Sequence, residues 1–260
     1  MSSATQFEIS SAAATHVGKV RKHNEDSYLA RPEIGLWVVA DGMGGHQAGD
    51  LASQTIVQAL GGIEAPSDGA QFIGEVRTRL AAVNDALLAE AAARGNGAVI
   101  GSTVVALLTF GSFFACVWAG DSRLYRLRDG VLLQMNRDHS QVQEMVDAGL
   151  LAPELAESHP LGNVITRAVG VQDVLELDKV TDQLAPGDLF LLCSDGLSKT
   201  AGEADIARIL HETQFAAAPE RLIEAALQAG GNDNVTVIAV RIGAPRQARF
   251  DESNLDITDP

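Results

Sequence analysis

Residues 103–119 read TVVALLTFGSFFACVWA, two apolar runs on either side of Gly111-Ser112. Their β-branched and aromatic residues favour strands, and a Gly-Ser pair between two such runs is typical of a hairpin turn. No charged residue occurs between Arg94 and Asp121, so the stretch is also long enough to suggest a membrane span. Because Gly101-Ser102 and Gly111-Ser112 interrupt it, the sequence predicts two buried strands instead.

Strand and helix patterns follow one another along the rest of the chain. Strand patterns occur in five segments: 35–40, 124–127, 131–135, 189–193 and 234–241. Helical patterns occur in four: 48–60, 72–93, 140–148 and 204–229. Asp129-Gly130 predicts a two-residue hairpin turn. Runs of strands with grouped helices predict an α+β layered domain over residues 1–245, followed by an acidic, disordered tail over residues 246–260.

The chain of 260 residues has a formal net charge of −15. This acidity argues against a basic nucleic-acid-binding face and against binding to anionic membranes. Cys116 and Cys193 lie in apolar stretches, which indicates buried free thiols in a reducing compartment; a disulfide is the alternative, and their spacing does not favour it. Residues 1–15 lack the basic start and apolar run of a signal peptide, so we expect a cytoplasmic protein.

Acidic residues stand where four predicted strands meet solvent: Asp41, Asp121, Asp195 and Asp233. Each taken alone is most often a turn former. Taken together they can converge at strand ends, and converging carboxylates repel one another unless a cation neutralises them. Oxygen ligands suit Mg²⁺ or Mn²⁺, and no Cys/His spacing resembles a zinc site. In the Asp-Gly pairs that begin at Asp41 and Asp195, glycine would let a backbone carbonyl approach a metal closely.

Arg21 is the candidate cation for binding a phosphate group. Its planar donor fork fits phosphate oxygens, and it lies four residues before Glu25. The alternative is an ordinary surface arginine, because Lys19 and Lys22 flank it in a basic run.

Seven short motifs between Val17 and Val240 resemble the metal-dependent protein phosphatase family, type 2C, in its bacterial form. Each motif is weak alone, but their common order makes chance resemblance very improbable. The motifs, in chain order, are Val20-Arg21-Lys22-His23-Asn24-Glu25-Asp26, Val39-Ala40-Asp41-Gly42-Met43-Gly44-Gly45, Gly101-Ser102-Thr103, Gly120-Asp121-Ser122-Arg123, Ile165-Thr166-Arg167-Ala168-Val169-Gly170, Ser194-Asp195-Gly196-Leu197 and Asn232-Asp233-Asn234-Val235-Thr236.

The resemblance implies a fold and an activity. The implied fold is a four-layer αββα sandwich, in which two antiparallel sheets are flanked by helices and a cleft at one end holds the metals. The implied activity is hydrolysis of phosphoserine and phosphothreonine in proteins, with a hydroxide between two Mn²⁺ or Mg²⁺ ions attacking phosphorus. Implied partners are phosphorylated proteins, including a Ser/Thr kinase or its targets, and we expect a monomer that binds neither nucleic acid nor membrane.

The resemblance also implies a ligand set. Asp41 would bridge the two ions, Asp195 and Asp233 would complete one coordination shell, and Glu25 and the Gly42 carbonyl would serve the other. Three further positions complete the implied site. Asp26 would hold metal-bound waters, Asp121 would join Asp195 at a third ion, and Arg21 would hold the substrate phosphate.

The proton donor is where this chain departs from many eukaryotic relatives. Met43 stands where they carry a histidine that has been assigned as the general acid. His46, three residues on, is a candidate for that role or a cap for the following helix, and a metal-bound water is another candidate for the acid. Asp138-His139-Ser140 we interpret as a turn and helix start, with Ser140 as the N-cap. The flap segment, residues 141–163, matches a variable region beside the family's cleft, so we expect it to influence substrate choice.

Two other functions are compatible with this pattern. A metal-dependent hydrolase of small phosphoesters is one, and an assay that compares phosphopeptides with metabolites would distinguish it. A pseudophosphatase that keeps the fold as a binding module is the other. It would be marked by lost ligands, whereas every expected acidic position is filled here.

Overall fold

The computed structural model describes residues 7–44, 48–156 and 159–245. His46 and the tail over residues 246–260 lie outside these ranges. Within them the strands are β1 (Phe7–His16), β2 (Asp26–Arg31), β3 (Leu36–Met43), β4 (Gly101–Ser102), β5 (Val104–Phe110), β6 (Phe113–Ala119), β7 (Arg123–Arg128), β8 (Val131–Gln134), β9 (Asp178–Gln183), β10 (Leu189–Cys193) and β11 (Val235–Pro245). The helices are α1 (Ala48–Gly61), α2 (Gly69–Arg94), α3 (Gln141–Asp147), α4 (Asp195–Ser198), α5 (Glu203–Glu212) and α6 (Ala218–Gln228).

The strands form two antiparallel sheets, with strand orders β1-β11-β10-β7-β8 and β2-β3-β5-β6-β9. The short strand β4 pairs with β3 beside the second sheet. Helices α1 and α2 pack on the outer face of the second sheet, and α4, α5 and α6 pack on the outer face of the first. A third apolar layer lies between the sheets. The predicted four-layer αββα sandwich is therefore confirmed.

Strand β3 illustrates why the layers form. Leu36, Val38 and Ala40 point toward α1 and α2, whereas Trp37 and Val39 point between the sheets. Side chains alternate along a strand, so a strand that is buried on both faces must be apolar at nearly every position. The uninterrupted apolar runs of the sequence are explained by this double burial.

Both predicted hairpins are confirmed. β5 and β6 pair from Val104–Ala119 to Phe110–Phe113, and Gly111 between them has φ 59°. Asp129 and Gly130, which join β7 to β8, have φ values of 50° and 78°, as a type I′ turn requires. Cys116 and Cys193 are buried free thiols, as expected.

Other predictions were wrong in instructive ways. β1, β2, β4 and β9 were not predicted. β1 gave no strand signal because it is rich in Ser and Ala, and it owes its conformation to pairing with β11. Strand β3 continues to Met43, three residues beyond the end of the predicted segment 35–40. The single helical region over residues 204–229 is two helices, which a 3₁₀ turn at Phe215–Ala217 separates. No helix in the described ranges is long and apolar enough to cross a membrane.

Candidate metal centre

Asp41 lies at one end of the layer between the sheets. It continues the alternation that points Trp37 and Val39 into that layer. Its partner on β2 is Asp26, directly opposite in the antiparallel register. Such partners have Cα atoms about 4.5–5.5 Å apart, and like charges there repel. The end of the apolar layer therefore brings two acidic side chains face to face.

Asp121, Asp195 and Asp233 join this pair. We call the five residues Asp26, Asp41, Asp121, Asp195 and Asp233 the carboxylate cluster. Burial holds the pKa of Asp41 well above its usual range, and the negative charges of the other four raise it further. Contacts between the chain segments place them together: Asp26 pairs with Asp41, Ser194 bonds to Asp26, Asn234 bonds to Glu25, and Lys199 joins Asp121 to Asp195. The cluster can be fully anionic only where positive charge compensates it.

The backbone of Asp41 is fixed by the Gly101-Ser102-Thr103 motif. Thr103 N and Ser102 Oγ both donate to the Asp41 carbonyl oxygen, at 2.8 and 2.9 Å. Asp41 N donates to Thr103 Oγ1 at 3.1 Å, and that hydroxyl also bonds to Ser122 Oγ at 2.7 Å. Ser102, Thr103 and Ser122 are all buried, so the strand carrying Asp41 is held rigidly.

Asp26 is held from the opposite sheet. Ser194 Oγ donates to Asp26 Oδ2 at 2.8 Å, and Thr236 N donates to the same hydroxyl at 2.9 Å. Burial raises the pKa of Asp26 to about 7, which the Ser194 hydrogen bond opposes. Asp26 Oδ1 is buried and has no hydrogen-bond partner among the described residues. A buried carboxylate oxygen without a partner destabilises the folded state unless a bound group, such as a water or a cation, interacts with it.

Lys199 lies between two other carboxylates. Its Nζ donates to Asp195 Oδ2 at 2.6 Å, to Asp121 Oδ2 at 3.1 Å and to Asn163 Oδ1 at 2.9 Å. Asp121 is buried, which raises its pKa to about 6; Asp195 adds to the rise and Lys199 opposes it. Burial disfavours the charged ammonium of Lys199, yet the two carboxylates hold its pKa above the usual value.

Glu25 and Gly42 are packed tightly against the start of α1. Gly42 N donates to the Glu25 carbonyl oxygen at 3.1 Å. A Cβ at Gly42 would lie 2.0 Å from the Gly49 carbonyl oxygen, and one at Gly49 would lie 2.7 Å from Glu25 Oε1. Glycine is therefore required at both positions by close backbone approach, and burial raises the pKa of Glu25.

Asn234 fastens the loop that carries Glu25 to the start of β11. Its Oδ1 accepts from Glu25 N at 2.8 Å, while its Nδ2 donates to the carbonyl oxygens of Val17 and His23, both at 2.9 Å. All three of these hydrogen bonds go to the loop over residues 17–25. A loop without regular structure thus acquires a fixed position relative to β11.

Arg21, on the same loop, pairs with Asp233. Its Nη2 donates to Asp233 Oδ2 at 2.8 Å, and this hydrogen bond is the main reason that the pKa of Arg21 is raised. The side chains are 53% and 38% exposed. Such an exposed pair contributes little stability, about 0–1 kcal/mol, so Arg21 can exchange this partner for another anion at small cost.

The donor set fits hard divalent cations, although no three described His, Cys, Asp or Glu side chains are gathered closely enough to enclose an ion as they stand. Carboxylates are the preferred ligands of Mg²⁺ and Mn²⁺. The unpartnered Asp26 Oδ1 and the raised pKa of Asp41 both indicate missing positive charge. At Asp121 and Asp195 the ammonium of Lys199 already supplies that charge.

The structure brings together every described acidic residue predicted for the site, but sequence reasoning missed several supporting side chains. Ser102, Ser194 and Asn234 lay within quoted motifs without a role. Lys199 was missed altogether, although its place four residues after Asp195 is a signal for a helical ion pair. Met43 ends β3 beside the cluster.

His139 is structural. It is buried, stacks on Trp118 with ring centroids 5.8 Å apart, and bonds through Nε2 to Asp178 Oδ2 at 3.1 Å. Its Nδ1 accepts from Gly120 N at 3.2 Å. Ser140 caps α3 by accepting from Gln143 N, as predicted.

A comparison with known families decides the assignment. The Protein phosphatase 2C family profile matches residues 15–234, a range that contains the whole carboxylate cluster. The chain belongs to the protein phosphatase 2C family. The family resemblance inferred from the seven motifs is thereby confirmed.

Relatives in this family are similar over nearly all of the chain. The serine/threonine protein phosphatase PstP of Mycobacterium tuberculosis is 39% identical over 231 residues, which cover 89% of this chain and 44% of that protein. The chain thus spans less than half the length of that relative.

Solved structures of the family superpose closely. PppA, described as a key regulatory component of T6SS in Pseudomonas aeruginosa, has a TM-score of 0.85 and 47% identity, covering 92% of this chain and 99% of that chain. The catalytic domain of PstP in complex with 2 manganese ions has a TM-score of 0.81 and 37% identity, covering 91% and 99%.

Proposed function

We propose that this protein is a metal-dependent serine/threonine phosphatase that removes phosphate from phosphoserine and phosphothreonine in proteins, with two Mn²⁺ or Mg²⁺ ions. The observation that carries the proposal is the meeting of Asp26, Asp41, Asp121, Asp195 and Asp233 at one end of the sandwich, where strand register, hydrogen bonds and ion pairs join their chain segments. Family membership supports it, as does the similar PstP domain that holds two manganese ions. When bound, such ions lower the pKa of water and stabilise charge that develops on phosphoryl oxygens.

The metal ligands that we propose are Glu25, Asp41, the Gly42 carbonyl, Asp195 and Asp233. Asp41 is central because its carboxylate faces Asp26 and its backbone is pinned by Ser102 and Thr103. Asp26 is proposed to orient water through its free Oδ1, while Ser194 holds its other oxygen. Rigid support of this kind keeps ligands in the geometry that ions require.

Arg21 is proposed to bind the substrate phosphate. Its guanidinium already lies against Asp233, and the ion pair is exposed enough to open. With Asp233 holding a metal ion, the fork of Arg21 would be free to donate two parallel hydrogen bonds to phosphate oxygens. The same group then stabilises the charge that develops during attack on phosphorus.

His46 is our proposed proton donor for the leaving hydroxyl, on sequence grounds, because Met43 has no proton to give. Its role is tested by comparing a phosphoserine peptide with an activated aryl phosphate. His46→Asn is expected to slow the peptide far more, since a good leaving group needs no acid. Equal slowing of both substrates would contradict the assignment.

Several properties of the whole protein belong to the same proposal. Residues 1–245 form the catalytic domain, and the acidic tail over residues 246–260 lies outside it. The enzyme is a cytoplasmic signalling monomer, which its two buried free thiols suit, and it opposes a Ser/Thr kinase by acting on that kinase or its targets. Light scattering on the purified chain tests the monomer directly.

The activity is tested by phosphate release from phosphothreonine and phosphoserine peptides with Mn²⁺ or Mg²⁺. We expect release that EDTA abolishes and that added Mn²⁺ restores. Small phosphorylated metabolites, assayed in parallel, should be poorer substrates as judged by kcat/KM. Peptide hydrolysis that survives metal removal, or a clear preference for metabolites, would overturn the proposal.

A further inference from the structure

Lys199 makes three hydrogen bonds that join three separate parts of the chain. It follows α4, and its Nζ reaches Asp195 at the start of that helix, Asp121 after β6, and Asn163 in the flap segment. An ammonium group has three protons, so these three acceptors use its full donor capacity. The side chain is 25% exposed, so the contacts lie in a partly desolvated place.

We propose that Lys199 is a positioning residue that permanently supplies the positive charge at Asp121 and Asp195, where a third metal ion would otherwise be expected, and that it fastens the flap segment there through Asn163. The inference rests on the proposed metal centre, which Asp195 also serves. Lys199 bonds to Oδ2 of Asp195, so Oδ1 of the same carboxylate is the oxygen left for that centre.

The charges around Lys199 support the first half of the proposal. The Asp121 and Asp195 side chains are only 5% and 17% exposed, and both contact one ammonium at hydrogen-bond distance. A divalent ion bound by both carboxylates would bring its positive charge against that ammonium, and like charges at such distances repel strongly where water is scarce. The place between Asp121 and Asp195 is therefore already taken.

The position of Asn163 supports the second half. Just beyond it, Val164 accepts from Gln141 N at 2.8 Å, and Thr166 N donates to the His139 carbonyl oxygen at 2.8 Å. These bonds hold the base of the flap segment against the start of α3. Asn163 adds a contact from the flap segment to the carboxylate cluster, so the flap's position and the cluster's charge depend on one side chain.

Two variants test the supply of charge by Lys199 and the attachment of the flap segment separately. Lys199→Met keeps an unbranched side chain that is one atom shorter and removes its charge and donors, whereas Asn163→Ala removes the contact to the flap segment and leaves the ammonium. Lys179→Met is the matched control, because Lys179 is an exposed lysine on β9. The Mn²⁺ ions bound per chain are counted by native mass spectrometry, and amide hydrogen exchange is followed across residues 161–166.

We expect two ions in the unmodified protein, in Asn163→Ala and in Lys179→Met, and one more in Lys199→Met. Exchange across residues 161–166 should rise about tenfold in both Lys199→Met and Asn163→Ala, because a charge-assisted hydrogen bond is lost. If Lys199→Met does not fold, as judged by circular dichroism, Lys199→Gln replaces it with the same expected result.

Each part of the proposal is contradicted by a different result. An unchanged ion count in folded Lys199→Met would overturn the supply of charge by Lys199, and unchanged exchange in Asn163→Ala would overturn the attachment of the flap. An unmodified protein that binds no Mn²⁺ would instead contradict the proposed metal centre on which both depend.

Discussion

Ser194, at the end of one sheet, donates a 2.8 Å hydrogen bond to Asp26 in the other sheet. The same hydroxyl accepts from Thr236 N, so Ser194→Ala removes one hydrogen bond from a backbone donor and one from a buried carboxylate oxygen. We expect the free energy of unfolding to fall by about 1–3 kcal/mol. Mn²⁺ affinity should fall about 10–100-fold, because Asp26 loses its orientation.

Calorimetric titration with Mn²⁺ and denaturant unfolding measure these two losses. Ser27→Ala is the control, since Ser27 bonds to Ser53 on α1 and lies next to Asp26 in sequence. It should reduce stability without changing Mn²⁺ affinity. Equal affinities for both variants would contradict the role of Ser194.

Asp41→Asn is expected to separate stability from activity. It removes the charge that the other carboxylates oppose, so the metal-free protein should become more stable by on the order of 1 kcal/mol near neutral pH. Mn²⁺ binding and phosphate release should both be lost. Asp129→Asn, in the exposed β7–β8 turn, should change neither property because Asn tolerates positive φ.

Arg21→Ala should act mainly on substrate binding. Losing a charged donor to phosphate corresponds to about a tenfold or greater rise in KM for a phosphopeptide. The number of bound ions should stay the same, and Arg21→Lys should recover part of the loss. Lys22→Ala, one residue away, serves as the control. A KM that stays unchanged would argue against phosphate binding by Arg21.

Gly196→Ala should be strongly destabilising, because a Cβ there would lie 2.0 Å from the Asn234 carbonyl oxygen. We expect a loss of about 3 kcal/mol, measured by chemical denaturation. Gly74→Ala is a control of opposite sign. Gly74 lies within α2 with open space around it, so alanine there should stabilise by about 0.5–1 kcal/mol. A mild effect at Gly196 would contradict this packing.

The thermal stabilisation by Mn²⁺ should grow with pH. Burial raises the pKa of Asp26 to about 7 and that of Asp121 to about 6, from an ordinary 3.8. The folded metal-free chain therefore binds protons more tightly than the unfolded chain, and its stability falls as pH rises from about 4 to about 7. Mn²⁺ competes with these protons.

We accordingly expect the rise in Tm on adding Mn²⁺ to be larger at about pH 8 than at about pH 5.5. Differential scanning fluorimetry with EDTA or Mn²⁺ at each pH measures it. Equal rises at both values would show that protons do not compete with the ion.

The elements that the sequence predicted correctly are those whose signal lies within a short segment of the chain. The β5–β6 hairpin was predicted because β-branched and aromatic runs flank Gly111, and the β7–β8 turn because Asp129 and Gly130 suit positive φ. β1 was missed because its Ser and Ala residues carry no strand signal. Its partner β11 lies more than 200 residues away, and pairing over such separation leaves no trace in a short window.

The candidate site, too, was predicted from the sequence only in part. Asp41 and Asp195 were predicted from their places after apolar runs. The contacts that hold the site in place come from elsewhere in the chain: Ser102 holds Asp41, and Asn163 reaches Lys199. Such contacts depend on tertiary proximity, which spacing alone does not encode. The ion pair between Lys199 and Asp195 is the exception, because helical geometry places residues i and i+4 together.

The pairing of β1 with β11 has a practical consequence for labelling. The register runs from His16 opposite Val235, at the cluster, to Phe7 opposite Pro245. Nine residue-to-residue steps along β1 separate these ends, a distance of about 30 Å. A fluorescent protein or surface-immobilisation tag that is joined at either Phe7 or Pro245 would therefore attach far from the carboxylate cluster, and both attachment points lie side by side.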